Sequence, residues 1–371
     1  MLDITNCEQL WGDYEGSELK FAIEYNGKKY MVKKPDPARQ SDLDLSYINN
    51  QYSEDIGCKI FASIGIPVQK TFLAKFNDNG KLKTVVACQD FREPGELLFE
   101  ADKLAKSFVN SQDMNKARLE DIQKILDEVQ NKLSNDENAE NRFWDTFIVD
   151  ALIGNKDRHM GNWGFLSKDS RYLKLAPVYD CGSSLSSLMS DEQMEKSLKD
   201  DTFKTHEYNI ASCMTKDNKR IFYHEIFNSP NKALENAILR IVPRIKLTKI
   251  NEIIDHEEGL SEVRKCYIQK SIELRYERIL EPALTRLKLE QYKKRSTSVK
   301  AISELIKEEI SSNYDLKFIE KLLMRSLSGT HSEKRKQYIT ALNLAGISDT
   351  KRHNKLILSQ ENINSENSIQ R

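Results

Sequence analysis

Gly154-Asn155-Lys156-Asp157-Arg158-His159-Met160-Gly161-Asn162-Trp163-Gly164-Phe165 joins an apolar helical stripe to a strand-like run, and Ala176-Pro177-Val178-Tyr179-Asp180-Cys181-Gly182-Ser183 follows the next such run. Upstream, residues 141–153 set Phe143, Trp144, Phe147, Ile148, Ala151 and Leu152 along one helical stripe, and Gly154 stands where a left-handed C-cap would end it. Downstream, residues 163–166 and 172–175 read as two short strands around a polar turn. Asp157 and Asp180, twenty-three positions apart, each lie just outside a strand-like run, where a loop can present a carboxylate to a cleft.

Toward the N-terminus, residues 20–25, Asn26-Gly27 and residues 28–34 make a hairpin signal, because Asn-Gly suits a tight primed turn. Residues 49–64 change period: Tyr52, Ile56, Ile60 and Ile64 recur four apart, with Phe61 beside them and Gly65 as the stop. Residues 68–76 and 82–88 form a second strand pair around Asn77-Asp78-Asn79-Gly80. From about residue 97 the pattern is helical, over residues 98–109 and 115–133. Residues 260–290 read as one long helix with Val263, Tyr267, Leu274, Leu280, Leu284 and Leu287 inward, and residues 298–346 carry further amphipathic segments. The expectation is an α+β chain: a small β-rich lobe with one helix (residues 1–95), a larger mainly helical lobe (residues 96–297), and a helical extension with a frayed tail (residues 298–371).

Composition narrows the class. The 371 residues are 39% hydrophobic and 31% charged, with 57 basic side chains balancing 57 acidic ones, which describes a folded globular chain and not a disordered one. No apolar stretch is long enough to span a bilayer, and the N-terminus is too polar for a secretory signal, so a cytoplasmic protein with no membrane partner is expected. Six cysteines are scattered without C-x-x-C spacing, which argues against zinc and for a reduced compartment. Residues 281–371 carry a net +6 and residues 1–280 the compensating −6, too mild and too mixed for a direct nucleic-acid surface.

The two acidic loops have the parts that phosphoryl transfer needs: a carboxylate to orient the attacking hydroxyl, an amide and a second carboxylate for Mg²⁺, and a lysine for the nucleotide phosphates. Asp157, Asn162 and Asp180 supply the first three as D-x-x-x-x-N followed by D-x-G. Any one of these acids alone would read as a turn or cap. Lys33 shares one strand face with Met31, while Tyr30 and Val32 take the other; it is either one of four solvated lysines or the phosphate ligand. Glu54, in the first turn of the following helix, can pair with that lysine or serve only the helix dipole. Gly16, Ser17 and Lys20, just before the hairpin, suit either a loop over phosphates or a plain turn.

Taken together, Gly16-Ser17 with Lys20, Tyr30-Met31-Val32-Lys33, Ser53-Glu54, Cys88-Gln89-Asp90-Phe91, Asn155-x-Asp157-Arg158-His159-x-x-Asn162 and Tyr179-Asp180-x-Gly182 resemble the HipA-like serine/threonine kinases, in their compact form, from about residue 10 to about residue 290. The resemblance implies a two-lobed protein-kinase-like fold, ATP and Mg²⁺ as cofactors, and a protein substrate phosphorylated on Ser or Thr. By the same resemblance Lys33 holds the nucleotide phosphates, Gln89 and Phe91 sit at the adenine hinge, Asp157 is the base or orienter, and Asn162 and Asp180 ligate Mg²⁺. His159 either contacts the γ-phosphate or bonds loop backbone, and Arg158 pairs with a phosphorylated residue or with a carboxylate.

The chain departs from the full-length HipA pattern in three places. It begins almost at the nucleotide lobe, so an antitoxin-like partner that needs an extra N-terminal subdomain is in question. Asp13-Tyr14-Glu15 stands where the toxins carry a self-phosphorylated serine, which leaves Ser17 as the autophosphorylation candidate. Residues 298–371 fall outside the resemblance. Because D-R-H-x-x-N also occurs in phosphoinositide kinases, a lipid or small-molecule phosphotransferase is the alternative, and a non-catalytic binding module the third reading. Retention of Lys33, Asp157, Asn162 and Asp180 speaks against the last.

Overall fold

Among the described residues, six strands build the N-terminal sheet: β1 (Leu2–Asp3), β2 (Gln9–Leu10), β3 (Lys20–Tyr25), β4 (Lys28–Lys33), β5 (Thr71–Asp78) and β6 (Lys81–Gln89), in the order β1-β5-β6-β4-β3-β2. The computed structural model describes residues 1–10, 20–35, 49–105, 118–133, 137–168, 172–200, 202–296, 298–312 and 314–347. All sheet neighbours run antiparallel except β1 and β5. Both predicted hairpins form. Asn26 and Gly27 (φ 51° and 68°) close β3–β4, and Asn79 and Gly80 (φ 54° and 83°) close β5–β6. Left-handed backbone at both turn residues matches the right-handed twist of the strands. The first residues of the second predicted strand do not join the sheet; Val68 instead bridges Val178 in the larger lobe.

Alternation along β4 divides its side chains as the pattern predicts. Tyr30 and Val32 join Ile4, Ile23, Phe76 and Val85 in one apolar cluster, while Met31 packs with Leu73, Val86 and Cys88 on the other face. That second face meets α1 (Asn50–Ile64), which buries Ile56, Ile60, Phe61 and Ile64 and ends at left-handed Gly65. Each such side chain contributes about 1.5–3 kcal/mol by leaving water. The start of α1 at Asn50 puts Glu54 one residue past the first turn, so the predicted dipole role gives way to a tertiary one.

Residues 98–109 were expected to be helical, but Leu97–Glu100 forms strand β7. It pairs with β8 (Gly164–Ser167), whose other neighbour is β9 (Lys174–Leu175). A short Leu-Leu-Phe run suits either element, and here the pairing partner decides. A Cβ at Gly164 would stand 2.4 Å from the Phe99 carbonyl oxygen, so the two strands approach this closely only because position 164 has no side chain. Helices α2 (Ala101–Ala105), α3 (Leu119–Gln130) and α4 (Ala139–Ile153) follow β7 in sequence, and α4 buries all six predicted stripe residues.

Beyond β9 come α5 (Asp191–Lys199), α6 (Thr202–Tyr208), the hairpin β10 (Ala211–Lys216) and β11 (Lys219–Phe222), α7 (Tyr223–Phe227), α8 (Lys232–Ile241) and α9 (Leu247–Asp255). The predicted long helix is α10 (Glu262–Arg275), a π-helical stretch at Tyr276–Leu280, and α11 (Glu281–Arg295). The chain divides into two compact units, Met1–Leu284 and Thr285–Arg371. The small lobe and residues 96–284 of the larger one belong to the first, and residues 285–297 fall in the second. In the second, α12 (Val299–Ser311), α13 (Leu316–Ser326) and α14 (His331–Leu344) bury Leu305, Ile306, Ile319 and Leu322, and Lys288 pairs with Glu309 at 2.9 Å. Among the described residues no helix is long and apolar enough to cross a membrane.

Candidate active site

Lys33 is the hinge of the arrangement. It lies on β4, in the middle of the sheet, and its Nζ donates to Glu54 Oε2 on α1 at 3.4 Å and to Asp180 Oδ1 at 2.9 Å. Lys33 is 6% exposed and Glu54 1%, so the ammonium neutralises acid that would be costly to bury alone. Lys34 points the other way, to Asp78 at 3.0 Å, with its ammonium near the Phe21 and Phe76 rings. Lys20 stands directly across from Lys33 in the β3–β4 register, hence on the same face. Gly16 and Ser17 lie outside the described residues.

Asp180 has a left-handed backbone (φ 59°), which an aspartate tolerates at modest cost. Burial disfavours its charge, but the Lys33 ammonium and its hydrogen bond outweigh that, aided by Arg158 and His159, and its pKa falls below the usual carboxylate range. Helix α1 packs closely on this motif. A Cβ at Gly57 would fall 2.7 Å from Cys181 Cβ, and one at Gly182 would fall 3.2 Å from Glu54 Oε2. Ser53 Oγ also donates to the Ser184 carbonyl at 2.9 Å.

Asp157 sits in the loop after α4, half-buried, with its N–H donating to Asn155 Oδ1 at 3.0 Å. Burial raises its pKa; His159 opposes that rise and the neighbouring Asp180 charge adds to it. Asn162, on a 3-10 turn at Met160–Asn162, donates from Nδ2 to the Asp157 carbonyl at 2.7 Å, which leaves its Oδ1 as the acceptor. An amide oxygen and a carboxylate suit Mg²⁺, a hard cation that keeps water and phosphate as its other ligands, so Asn162 and Asp180 fit the implied metal. His159 Nδ1 accepts from the Gly161 N–H at 3.0 Å, so its ring braces the loop.

Arg158 takes the carboxylate of its two sequence alternatives. Its Nε and Nη2 grip Asp150 at 2.9 and 3.1 Å, and its Nη1 donates to the carbonyls of Asn162, at 2.8 Å, and of Tyr179. Asn155 Nδ2 completes the cluster on Asp150 at 2.9 Å. One buried guanidinium thus ties the loop of Asp157 and Asn162 to the residue before Asp180. Sequence reasoning missed Asp150 and Gly57. The usable signals were an acid inside an apolar helical stripe and a glycine inside a helix.

Gln89 ends β6, its N–H on the Lys70 carbonyl at 2.8 Å and its own carbonyl held by Gln69 at 3.0 Å. Phe91, in the link between the lobes, stacks on Tyr179 with ring centroids 5.8 Å apart. Lys33, Glu54, Asp180, Asp157 and Asn162 are therefore tied to one another directly or through the loop backbone, and Gln89 and Phe91 border the same inter-lobe segment.

A β-rich lobe whose central lysine meets a helix glutamate, set against a helical lobe with paired acidic loops, defines a protein-kinase-like phosphotransferase. The family model described as the HipA-like C-terminal domain matches residues 13–245. The serine/threonine-protein kinase CtkA of Helicobacter pylori is 34% identical over 298 residues, 77% of this chain and 88% of that protein. The crystal structure of an H. pylori proinflammatory kinase CtkA aligns with a TM-score of 0.68 at 32% identity, covering 77% of this chain and 97% of that one. A Shewanella oneidensis complex of HipA, HipB and operator DNA aligns at 17% identity with a TM-score of 0.45, over 73% of this chain and 68% of that one, too distant to bear weight. The chain belongs to the HipA-like family of serine/threonine kinases.

Proposed function

We propose that this chain transfers the γ-phosphate of ATP to a serine or threonine of a protein, and to itself, with Mg²⁺ bound at Asn162 and Asp180. The observation that carries the reading is the three-way contact of Lys33 with Glu54 at 3.4 Å and Asp180 at 2.9 Å. It joins sheet, helix and metal motif at one buried ammonium, in the arrangement a nucleotide-phosphate lysine requires. Asp157 orients the acceptor hydroxyl and takes its proton. Lys33 neutralises phosphate charge, with Lys20 on the same strand face. The segment from Gln89 to Phe91 borders the adenine, and His159 keeps the loop shaped beside the phosphates. Mg²⁺, when bound there, would supply neutralisation of phosphate charge. Ser17, next to Gly16 in the sequence, is proposed as an autophosphorylation site. An antitoxin-like partner is a further expectation of the family.

The test is incubation of the whole chain with labelled ATP, with and without Mg²⁺, alone and with protein substrates or phosphoinositides, followed by mapping of the phosphate. Label on protein Ser or Thr that requires Mg²⁺ supports the reading. Label on lipid alone, or none anywhere, refutes it. Phosphate on residues other than Ser17 removes Ser17 and leaves the kinase.

A further inference from the structure

The hairpin β10–β11 holds the catalytic loop on both sides of Asp157. Arg220 Nη1 donates to the Lys156 carbonyl at 3.0 Å, and Cys213 Sγ donates to the Arg158 carbonyl at 2.8 Å. One of these anchors, Arg220, is exposed, and its charge is close enough to pull on the Asp157 carboxylate. Lys156, beside it on the loop, is exposed too. Phe222 lies two residues further along β11 and so shares the strand face of Arg220, about 7 Å away. Phe222 is 36% exposed, and its ring stacks on His224, which in turn stacks on Tyr208 with centroids 4.2 Å apart. The acids on this element are Asp217 in the turn and Glu225, whose carboxylate accepts from the Phe222 N–H at 2.9 Å.

We propose that this strip, Arg220 followed by the Phe222–His224–Tyr208 stack, is the docking surface for the phosphoacceptor segment of the substrate. It fits an extended segment with an acidic residue near the acceptor Ser or Thr and an apolar residue two positions beyond the acid. The inference rests on the kinase reading and names the substrate class for the same site. Three features favour this occupant. The strip starts at a carbonyl adjoining the catalytic Asp157. Among the described residues this guanidinium fork makes one carbonyl contact, and its further donors match a carboxylate. Arg220 and Phe222 stand two residues apart on one strand, the same-face spacing of an extended peptide laid alongside.

The probes are Ser-centred peptides, assayed with the whole chain and Mg-ATP, in which Asp, Ala or Arg is placed at each position within three residues of the acceptor, with Leu or Ala two positions further out. Peptides with Asp at one flanking position are expected to exceed the Ala series about fivefold in kcat/KM, mainly through KM, and the preference should shrink in high salt. Arg220→Glu should turn that preference toward Arg at the same position, and Phe222→Ala should remove the preference for Leu. Because Arg220 also braces the loop, the reversal of rank order is the readout, which loss of folding cannot imitate. Transfer onto the chain itself with no acidic preference among peptides, including no labelled peptide, overturns the docking strip and leaves the kinase reading intact. No transfer to peptide, protein or the chain overturns both.

Discussion

Gly57→Ala separates the packing of α1 on residues 179–182 from the stability of the chain. An alanine Cβ there would meet Cys181 Cβ at 2.7 Å, Cys181 Sγ at 3.5 Å and Ile153 Cδ1 at 3.6 Å. The first contact is about 1 Å inside normal carbon–carbon separation. Two opposing terms act on stability. Replacing an internal helix glycine by alanine gains about 1 kcal/mol, and overpacking a tight contact costs about 1–3 kcal/mol. The net is a loss of at most about 2 kcal/mol, leaving the chain folded. Activity has no such compensation. Glu54 lies on the same helix face three residues earlier, so moving α1 off Cys181 carries Glu54 from Lys33 and disturbs Lys33 on Asp180. A displacement of about 1 Å at a reacting centre costs about 10²-fold. The assay is Mg-ATP-dependent label transfer, normalised to the folded fraction from a thermal melt. Cys181→Gly in the same chain removes the clashing carbon and should restore much of the rate. Unchanged turnover in Gly57→Ala, or a double variant no better than the single one, refutes the reasoning.

Asp157→Asn should keep the fold and ATP binding while lowering transfer about 10²–10⁴-fold, since an amide cannot take the hydroxyl proton; single-turnover transfer checks it. Asp180→Ala should abolish the tightening of ATP binding by Mg²⁺ in calorimetry, because the carboxylate ligand is gone. Lys33→Ala should cut turnover by about 10²-fold or more, whereas Lys34→Ala, which loses its pairing with Asp78 and its contacts with the Phe21 and Phe76 rings on the opposite face, should change it little; the reverse ranking would put Lys34 in the cleft. Glu207 offers a pH test away from the site. Burial pushes its pKa up, but Arg275, His206 and Tyr267 pull it down to about 2 from an ordinary 4.5. A depressed carboxylate stabilises above its unfolded pKa, so up to about 3 kcal/mol should be present above pH 4.5 and disappear as the pH falls toward 2. Urea melts from pH 6 to pH 3 should show that slope in the parent chain and not in Glu207→Gln.

The elements whose cues are local were legible in the sequence. Asn26-Gly27 and Asn79-Gly80 specify primed turns through their own backbone preferences, so both hairpins could be read without a partner in view. The stripes of α1 and α4 carry their period within one turn of helix, and strand alternation alone put Lys33 and Met31 on one face. The motif D-x-x-x-x-N with D-x-G was likewise visible, because the chemistry demands those residue types close together. Other features depended on contacts between segments far apart in the chain. Leu97–Glu100 became a strand because β8 offered it a pairing edge, a choice that its own residues leave open. Glu54 turned from helix dipole to ion pair once the sheet brought Lys33 within 3.4 Å. Arg158 found its carboxylate in Asp150, eight residues earlier, because the turn at Gly154 folds the loop back on the end of α4. The role of Gly57 exists only where α1 crosses Cys181, and sequence spacing does not encode the distance between two surfaces that meet after folding.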